Sequence, residues 1–178
     1  TDCTIASNTA NETDPQGELG PSGGGGIYCN NNSNPNITGC SIVVNAAGVN
    51  GGGGILCNNS SPTITDCTIA SNTASFGGGI WCINSSPVHS ACNFGGNTPD
   101  NVIGDSDWNP LGRGGGPSII TIENCTIFGT GEHIAGNIPI LHLGENHIHD
   151  GIDDGDLDGD GDVDVDDLNL HHAAVGIC

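Results

Sequence analysis

The chain has 178 residues, of which 21 are acidic, one is arginine and none is lysine, so its formal net charge is −20. Nucleic acids and anionic membranes are held through clustered basic residues, which excludes both as partners and leaves cations as the charged species this surface attracts. No apolar run approaches the roughly 20 residues needed to span a bilayer and no signal peptide is recognisable; the absence of methionine is what a processed piece of a longer exported precursor would show.

The first ten residues (TDCTIASNTA) recur letter for letter at Thr65 to Ala74. Aligning the chain on that copy gives three repeats starting at Gly23, Gly51 and Gly77, with Ile27, Ile55 and Ile80 in corresponding positions 28 and 25 residues apart. A period of this size fits one coil of a solenoid. Each coil reads as a short G-I-x-C strand, a turn rich in Asn, Ser and Pro, a P-x-I-x-x-C-x-I strand pair and an S-N-T-A turn. Alternation in Ile27-Tyr28-Cys29 and Cys67-Thr68-Ile69 sends isoleucine and cysteine to one face and polar or aromatic residues to the other. No 3.6-residue apolar period appears before about residue 163, so helical repeats are excluded. The expected fold is all-β, a parallel β-helix of about five coils spanning residues 1–149. Such a narrow core needs few large residues, because stacking makes a handful per coil continuous.

Two interruptions are expected, at about residues 11–22 and 97–116, both rich in turn-forming residues. The array resumes at residues 117–127 (PSIITIENCTI), which match 62–69, and residues 138–148 (IPILHLGENHI) offer one more strand pair.

The nine cysteines favour an oxidising compartment, and the lack of any C-x-x-C spacing argues against zinc or thioredoxin-like chemistry. They follow the repeat: Cys29, Cys57 and Cys82 form one ladder, and Cys3, Cys40, Cys67, Cys92 and Cys125 another. Coils lie about 4.8 Å apart, within the Cα separation a disulfide tolerates, so cross-coil disulfides are open and so is a stack of buried thiols. An odd count leaves at least one cysteine free or bonded to another chain, and the terminal Cys178 is the candidate. Glycosylation sequons at Asn11, Asn31, Asn36, Asn58, Asn59, Asn84 and Asn124 read first as turn-forming asparagines stacked at coil bends.

From residue 150 the composition changes, ten of the 21 acids falling in the last 29 positions, so residues 150–178 form a separate module. Residues 156–167 (DLDGDGDVDVDD) carry a calcium-loop spacing. Asp156, Asp158 and Asp160 supply side-chain oxygens, Gly161 the sharp turn, Asp162 a backbone carbonyl, Asp164 a direct or water-mediated contact and Asp167 a closing bidentate carboxylate. Seven carboxylates crowd these twelve residues, and each pair at about 4 Å repels by roughly 1 to 4 kcal/mol, so the loop should loosen without a divalent ion. Residues 166–175 read as a short helix with Leu168, His171 or His172, and Val175 on one face and Gly176 as its stop.

Residues 155–170 (GDLDGDGDVDVDDLNL) resemble one repeat of a dockerin type I module. The GGGIxC and SSPTITDCTI segments resemble secreted bacterial right-handed parallel β-helix repeat proteins, many of which carry a G-N-x-P-D-N segment, here Gly96 to Asn101, and a dockerin-like tail. The resemblance implies a secreted or cell-surface protein that binds Ca2+. Cohesin-docking dockerins generally have two calcium repeats with aliphatic residues where this chain has His171 and His172, and both departures count against cohesin binding.

Right-handed β-helices include polysaccharide lyases and hydrolases. The only arginine, Arg113, lies in a glycine run, and the nearest carboxylate pair, Asp105 and Asp107, reads first as solvated acids between coils. His147 and His149 alternate on an expected strand with His142 nearby, a pattern open to zinc or copper but commoner as exposed or backbone-capping residues. No catalytic set is therefore assigned. The expected function is an extracellular structural or cell-surface scaffold, polymerising head to tail if a final partial coil completes the opening half coil of the next subunit. The alternative is a polysaccharide-binding or polysaccharide-degrading β-helix carried by a dockerin-like module.

Overall fold

In the computed structural model, residues 2–11, 23–105, 119–128, 134–136 and 140–149 are described. Among them every element is a β-strand, and every strand pairing is parallel. Three sheets dominate. The first has five strands, Ile27–Asn30, Ile55–Asn58, Ile80–Ile83, Val102–Asp105 and Ile134–Gly136. The second also has five, Asn36–Thr38, Thr63–Thr65, Val88–Ser90, Ile120–Glu123 and Ile140–Leu143. The third has six, Thr4–Ala6, Ser41–Val43, Thr68–Ala70, Asn93–Gly95, Thr126–Phe128 and His147–His149. The chain visits the sheets in that order and then returns to the first, one strand further along, so each strand pairs with its own equivalent in the next coil.

Pairing like with like turns sequence repeats into vertical rows. Ile27, Ile55, Ile80 and Val102 are register partners in turn, as are Cys29, Cys57 and Cys82. Ile37, Ile64, His89, Ile122 and His142 form a second row, and Ile5, Ile42, Ile69, Phe94 and Ile127 a third. Most of these residues form one buried cluster. Removing an isoleucine side chain from water stabilises by about 1.5 to 3 kcal/mol, and here each three-residue strand contributes one such residue with polar neighbours outside.

Most corners between sheets use one residue in the left-handed region, and the corner at Asn31 and Asn32 uses two. Asn31, Asn59 and Asn84 turn the chain after the first sheet; Asp2, Gly39, Asp66, Ala91, Asn124 and Gly144 turn it before the third; Ser7, Val44, Ser71 and Gly96 turn it after the third. A single left-handed residue bends an extended chain without a loop, and asparagine and glycine accept that conformation most readily. The glycine runs serve another purpose: a Cβ on Gly53 would collide with the backbone carbonyl of Gly78 in the next coil.

Two details differ from the sequence-based expectation. Val102–Asp105, inside the segment read as a break from 97 to 116, is a strand paired with Ile80–Ile83. Its partners supply the register that a lone Val-Ile-Gly-Asp stretch does not reveal. The outer face of the first sheet is also not uniformly exposed. Tyr28 is exposed, but its register partner Leu56 and Trp81, the partner of Leu56 one coil on, are fully buried, with Phe76 stacked on Trp81 at 4.8 Å between centroids. Leu56, Trp81 and Ile83 thus form a second, smaller apolar cluster, packed by Phe76 and Ile103.

Candidate functional site

Many of the polar and sulfur-bearing side chains of the described residues lie at the corners, directly after the left-handed residues. Two columns run along the stack there. One holds Asn8, Asn45, Asn72 and Asn97; the other holds Cys3, Cys40, Cys67, Cys92 and Cys125.

In the asparagine column each backbone N–H donates to the side-chain oxygen one coil further on. Asn8 N donates to Asn45 Oδ1 at 3.1 Å, Asn45 N to Asn72 Oδ1 at 2.9 Å and Asn72 N to Asn97 Oδ1 at 2.9 Å. The amide nitrogens point the other way. Asn45 Nδ2 donates to the Ile5 carbonyl, Asn72 Nδ2 to that of Ile42 and Asn97 Nδ2 to that of Ile69, at 2.8 to 2.9 Å. Asn97 also donates to buried Asn101 Oδ1 at 2.7 Å. The corner rotates backbone groups out of the sheet ladder, and these amides satisfy them inside the core.

The cysteine column repeats the arrangement with sulfur. Cys40 N approaches Cys67 Sγ and Cys92 N approaches Cys125 Sγ, both at 3.4 Å. At its far end Asn146 takes the cysteine position, accepting from Cys125 N at 2.9 Å. All eight described cysteines are free thiols; Cys3 is exposed and the other seven are buried. Hydrogen bonds to the neighbouring thiols Cys57 and Cys125, and then burial, push Cys29 and Cys92 up, and burial pushes up Cys67. The hydrogen bond from Cys92 draws Cys125 below the usual thiol range.

His89 occupies an isoleucine row. Its ring is fully buried, meets Phe94 edge to face at 5.6 Å, and has no well-formed hydrogen bond to either nitrogen. Desolvation lowers its pKa to about 4, with a weak opposing contribution from the Thr121 backbone.

The expected site residues are distributed unevenly. Register pairs Cys29 with Cys57 and Cys57 with Cys82, and it stacks the strands that follow Cys3, Cys40, Cys67, Cys92 and Cys125. The calcium-loop acids Asp156, Asp158, Asp160, Asp162, Asp164 and Asp167 lie outside the described residues. So do Cys178, Asp107, Arg113, His171, His172 and the expected helix at 166–175. His142 follows Ile122 in an inward row but is exposed, and partial burial lowers its pKa. His147 is exposed and pairs with Thr126. Among the described residues no three His, Cys, Asp or Glu side chains come together as a metal site. The sequon asparagines Asn11, Asn31, Asn36, Asn59 and Asn124 are exposed, and Asn58 and Asn84 half-buried. Four of these seven turn corners, yet none belongs to the bonded asparagine column. The column residues were missed because they lie in no sequon; the signal was the asparagine that closes each coil in SNT, VNA, SNT and GNT.

No family model matches this chain, and neither a curated protein nor a solved structure matches it. Among the described residues no helix is long and apolar enough to cross a membrane.

Proposed function

We propose that this chain is a subunit of an extracellular or cell-surface scaffold, built on a right-handed parallel β-helix and extended head to tail. The right hand follows from the general rule that connections between parallel strands of one sheet are right-handed in about 98% of cases. One observation carries the assembly reading. Among the described residues Thr4–Ala6 pairs only with Ser41–Val43, and at the other end His147–His149 pairs only with Thr126–Phe128. In a parallel stack the outer edge of the first strand is complementary to the outer edge of the last. A second copy of the chain added end to end satisfies both and repeats without closing.

Calcium is assigned to the acids at 156–167 on the chemistry of their donors, which are all oxygens, the set a hard divalent cation takes. The ion would neutralise a crowded acidic segment in a chain of net charge −20. This reading carries over the resemblance to secreted bacterial β-helix repeat proteins with a dockerin-like tail, and cohesin binding is not part of it.

Negative-stain microscopy of the purified full chain, with calcium and with chelator, tests the proposal. Rods that lengthen with protein concentration and shorten in chelator are expected. Monomers under both conditions would overturn it, and release of reducing sugar from an acidic or neutral polysaccharide would favour the enzymatic alternative.

A further inference from the structure

Cys3 is the first cysteine of the column among the described residues. Cys3 is exposed while Cys40, immediately behind it, is 4% exposed, and their sulfur atoms lie 3.2 Å apart. The parallel register Thr4↔Ser41 sets the two backbones one coil apart, about 4.8 Å, inside the window of about 4.4 to 6.8 Å for a disulfide. Neither backbone has to move far for the bond to form. The Cys3 backbone N–H and thiol both point at Cys40 sulfur and hold it below the usual thiol range, while Cys3 is raised by the same contact. The contact therefore couples the protonation of the two thiols and favours Cys40 over Cys3 as the thiolate.

We propose that Cys3 and Cys40 form a redox staple, the one pair of this column that a low-molecular-weight disulfide oxidises in the folded protein. The inference does not rest on the scaffold reading and concerns the unassembled subunit, since a second copy stacked on Thr4–Ala6 would cover Cys3.

The reaction balances as a two-step exchange. With Cys40 as the thiolate, the Cys3 thiol passes its proton to Cys40 across the 3.2 Å contact as its sulfur attacks one sulfur of the oxidant. The oxidant's sulfur–sulfur bond breaks, and its other half leaves as a thiolate that takes the proton from Cys40. The Cys40 thiolate then attacks the Cys3 sulfur and displaces the second half as a thiolate, which takes up from water the proton that Cys40 had released at the outset. Two protein thiols lose two electrons and two protons, and the oxidant's disulfide is reduced to two thiols.

Access, not acidity, selects the pair. Cys125 also has a depressed pKa, held by Cys92, but it is fully buried, as are Cys57, Cys67 and Cys82. Cys29 and Cys92 are 2% and 1% exposed. A disulfide reagent cannot reach any of these while the coils stay stacked. The staple would join positions 37 residues apart in sequence and tie the strand Thr4–Ala6, which pairs on one side only among the described residues, to the coil beside it.

The experiment uses the full chain with Cys178→Ser, reduced and then exposed to oxidised glutathione without denaturant. Samples are quenched with an alkylating reagent, denatured, labelled with a second alkylating reagent and mapped by mass spectrometry. One disulfide joining Cys3 to Cys40 is expected, with the remaining six cysteines taking only the second label. A first disulfide at Cys92–Cys125 or Cys29–Cys57 would overturn the proposal, as would Cys3 persisting as a glutathione adduct while Cys40 remains intact. The Cys40→Ser variant adds an independent reading. It is expected to stop at the mixed disulfide on Cys3 and to accumulate it, whereas absence of any adduct would show that Cys3 is not the entry point.

Discussion

The asparagine and cysteine columns solve the same corner problem with different chemistry. Both present a buried side chain to a backbone N–H of the preceding coil. Asparagine accepts at 2.9 to 3.1 Å and donates back to a carbonyl; sulfur stands at 3.4 Å and donates only weakly. The side-chain polar atoms of Asn45, Asn72 and Asn97 are all bonded, whereas the cysteine side of the coil also carries His89, whose buried nitrogens are not. The asparagine corner is thus a closed polar network. The cysteine corner is apolar packing with spare chemical reactivity.

The largest effect should come from opening the closed network. Asn72→Ala removes the acceptor for Asn45 N and Nδ2 and the donor to the Ile42 carbonyl. Stranding these buried groups should cost about 3 to 5 kcal/mol in urea unfolding; a loss below about 1 kcal/mol would mean the column is ornamental.

His89 gives the next largest effect and is pH-dependent. Its folded pKa of about 4 lies below the ordinary 6.5, so folding requires the neutral ring. The stability it permits is full above about pH 6.5 and is lost as pH falls toward 4, a difference of about 3 kcal/mol. His89→Ile restores the row formed by Ile64 and Ile122 and should flatten this part of the stability–pH profile. Equal slopes in wild type and variant between pH 6.5 and 4 would contradict the assignment.

A milder exchange probes the comparison directly. Asn146 already fills the cysteine position at the end of that column, donating toward the Ile122 and Leu143 carbonyls. Cys67 faces the corresponding carbonyls of Ile37 and Thr65. Cys67→Asn should therefore stay within about 1.5 kcal/mol of wild type, whereas a loss as large as that of Asn72→Ala would show that the corners are not interchangeable. The smallest effect belongs to Val44, a β-branched residue at φ 56° where Ser7 and Ser71 occupy the equivalent corners. Val44→Asn should raise the midpoint of thermal unfolding, by a stability gain of about 0.5 to 1 kcal/mol; a fall would show that the exposed valine makes a contact worth more than its strain.

Much of this was legible in the residues. The exact recurrence of TDCTIASNTA placed Thr4–Ala6 and Thr68–Ala70 in one sheet, two coils apart. The strand pairs at 120–128 and 140–149 were visible because spacing between inward residues survives when their identity changes. The strand at Val102–Asp105 was hidden, since four residues flanked by turn-formers have no period of their own and gain one only from Ile80–Ile83.

Sequence alone determined that the repeat region is a parallel stack of short strands, because its side chains alternate with a period of two within coils of 25 to 28 residues and no 3.6-residue apolar period appears there. It also determined which cysteines share a column, since repeats in register bring identical positions together. Only the tertiary structure decided which polar residues are buried and bonded. Asn59 and Asn72 are the same residue type, yet one turns the chain in solvent and the other lies in the core. That difference is set by the direction of the backbone at a corner and by what the next coil offers, neither of which a single repeat contains.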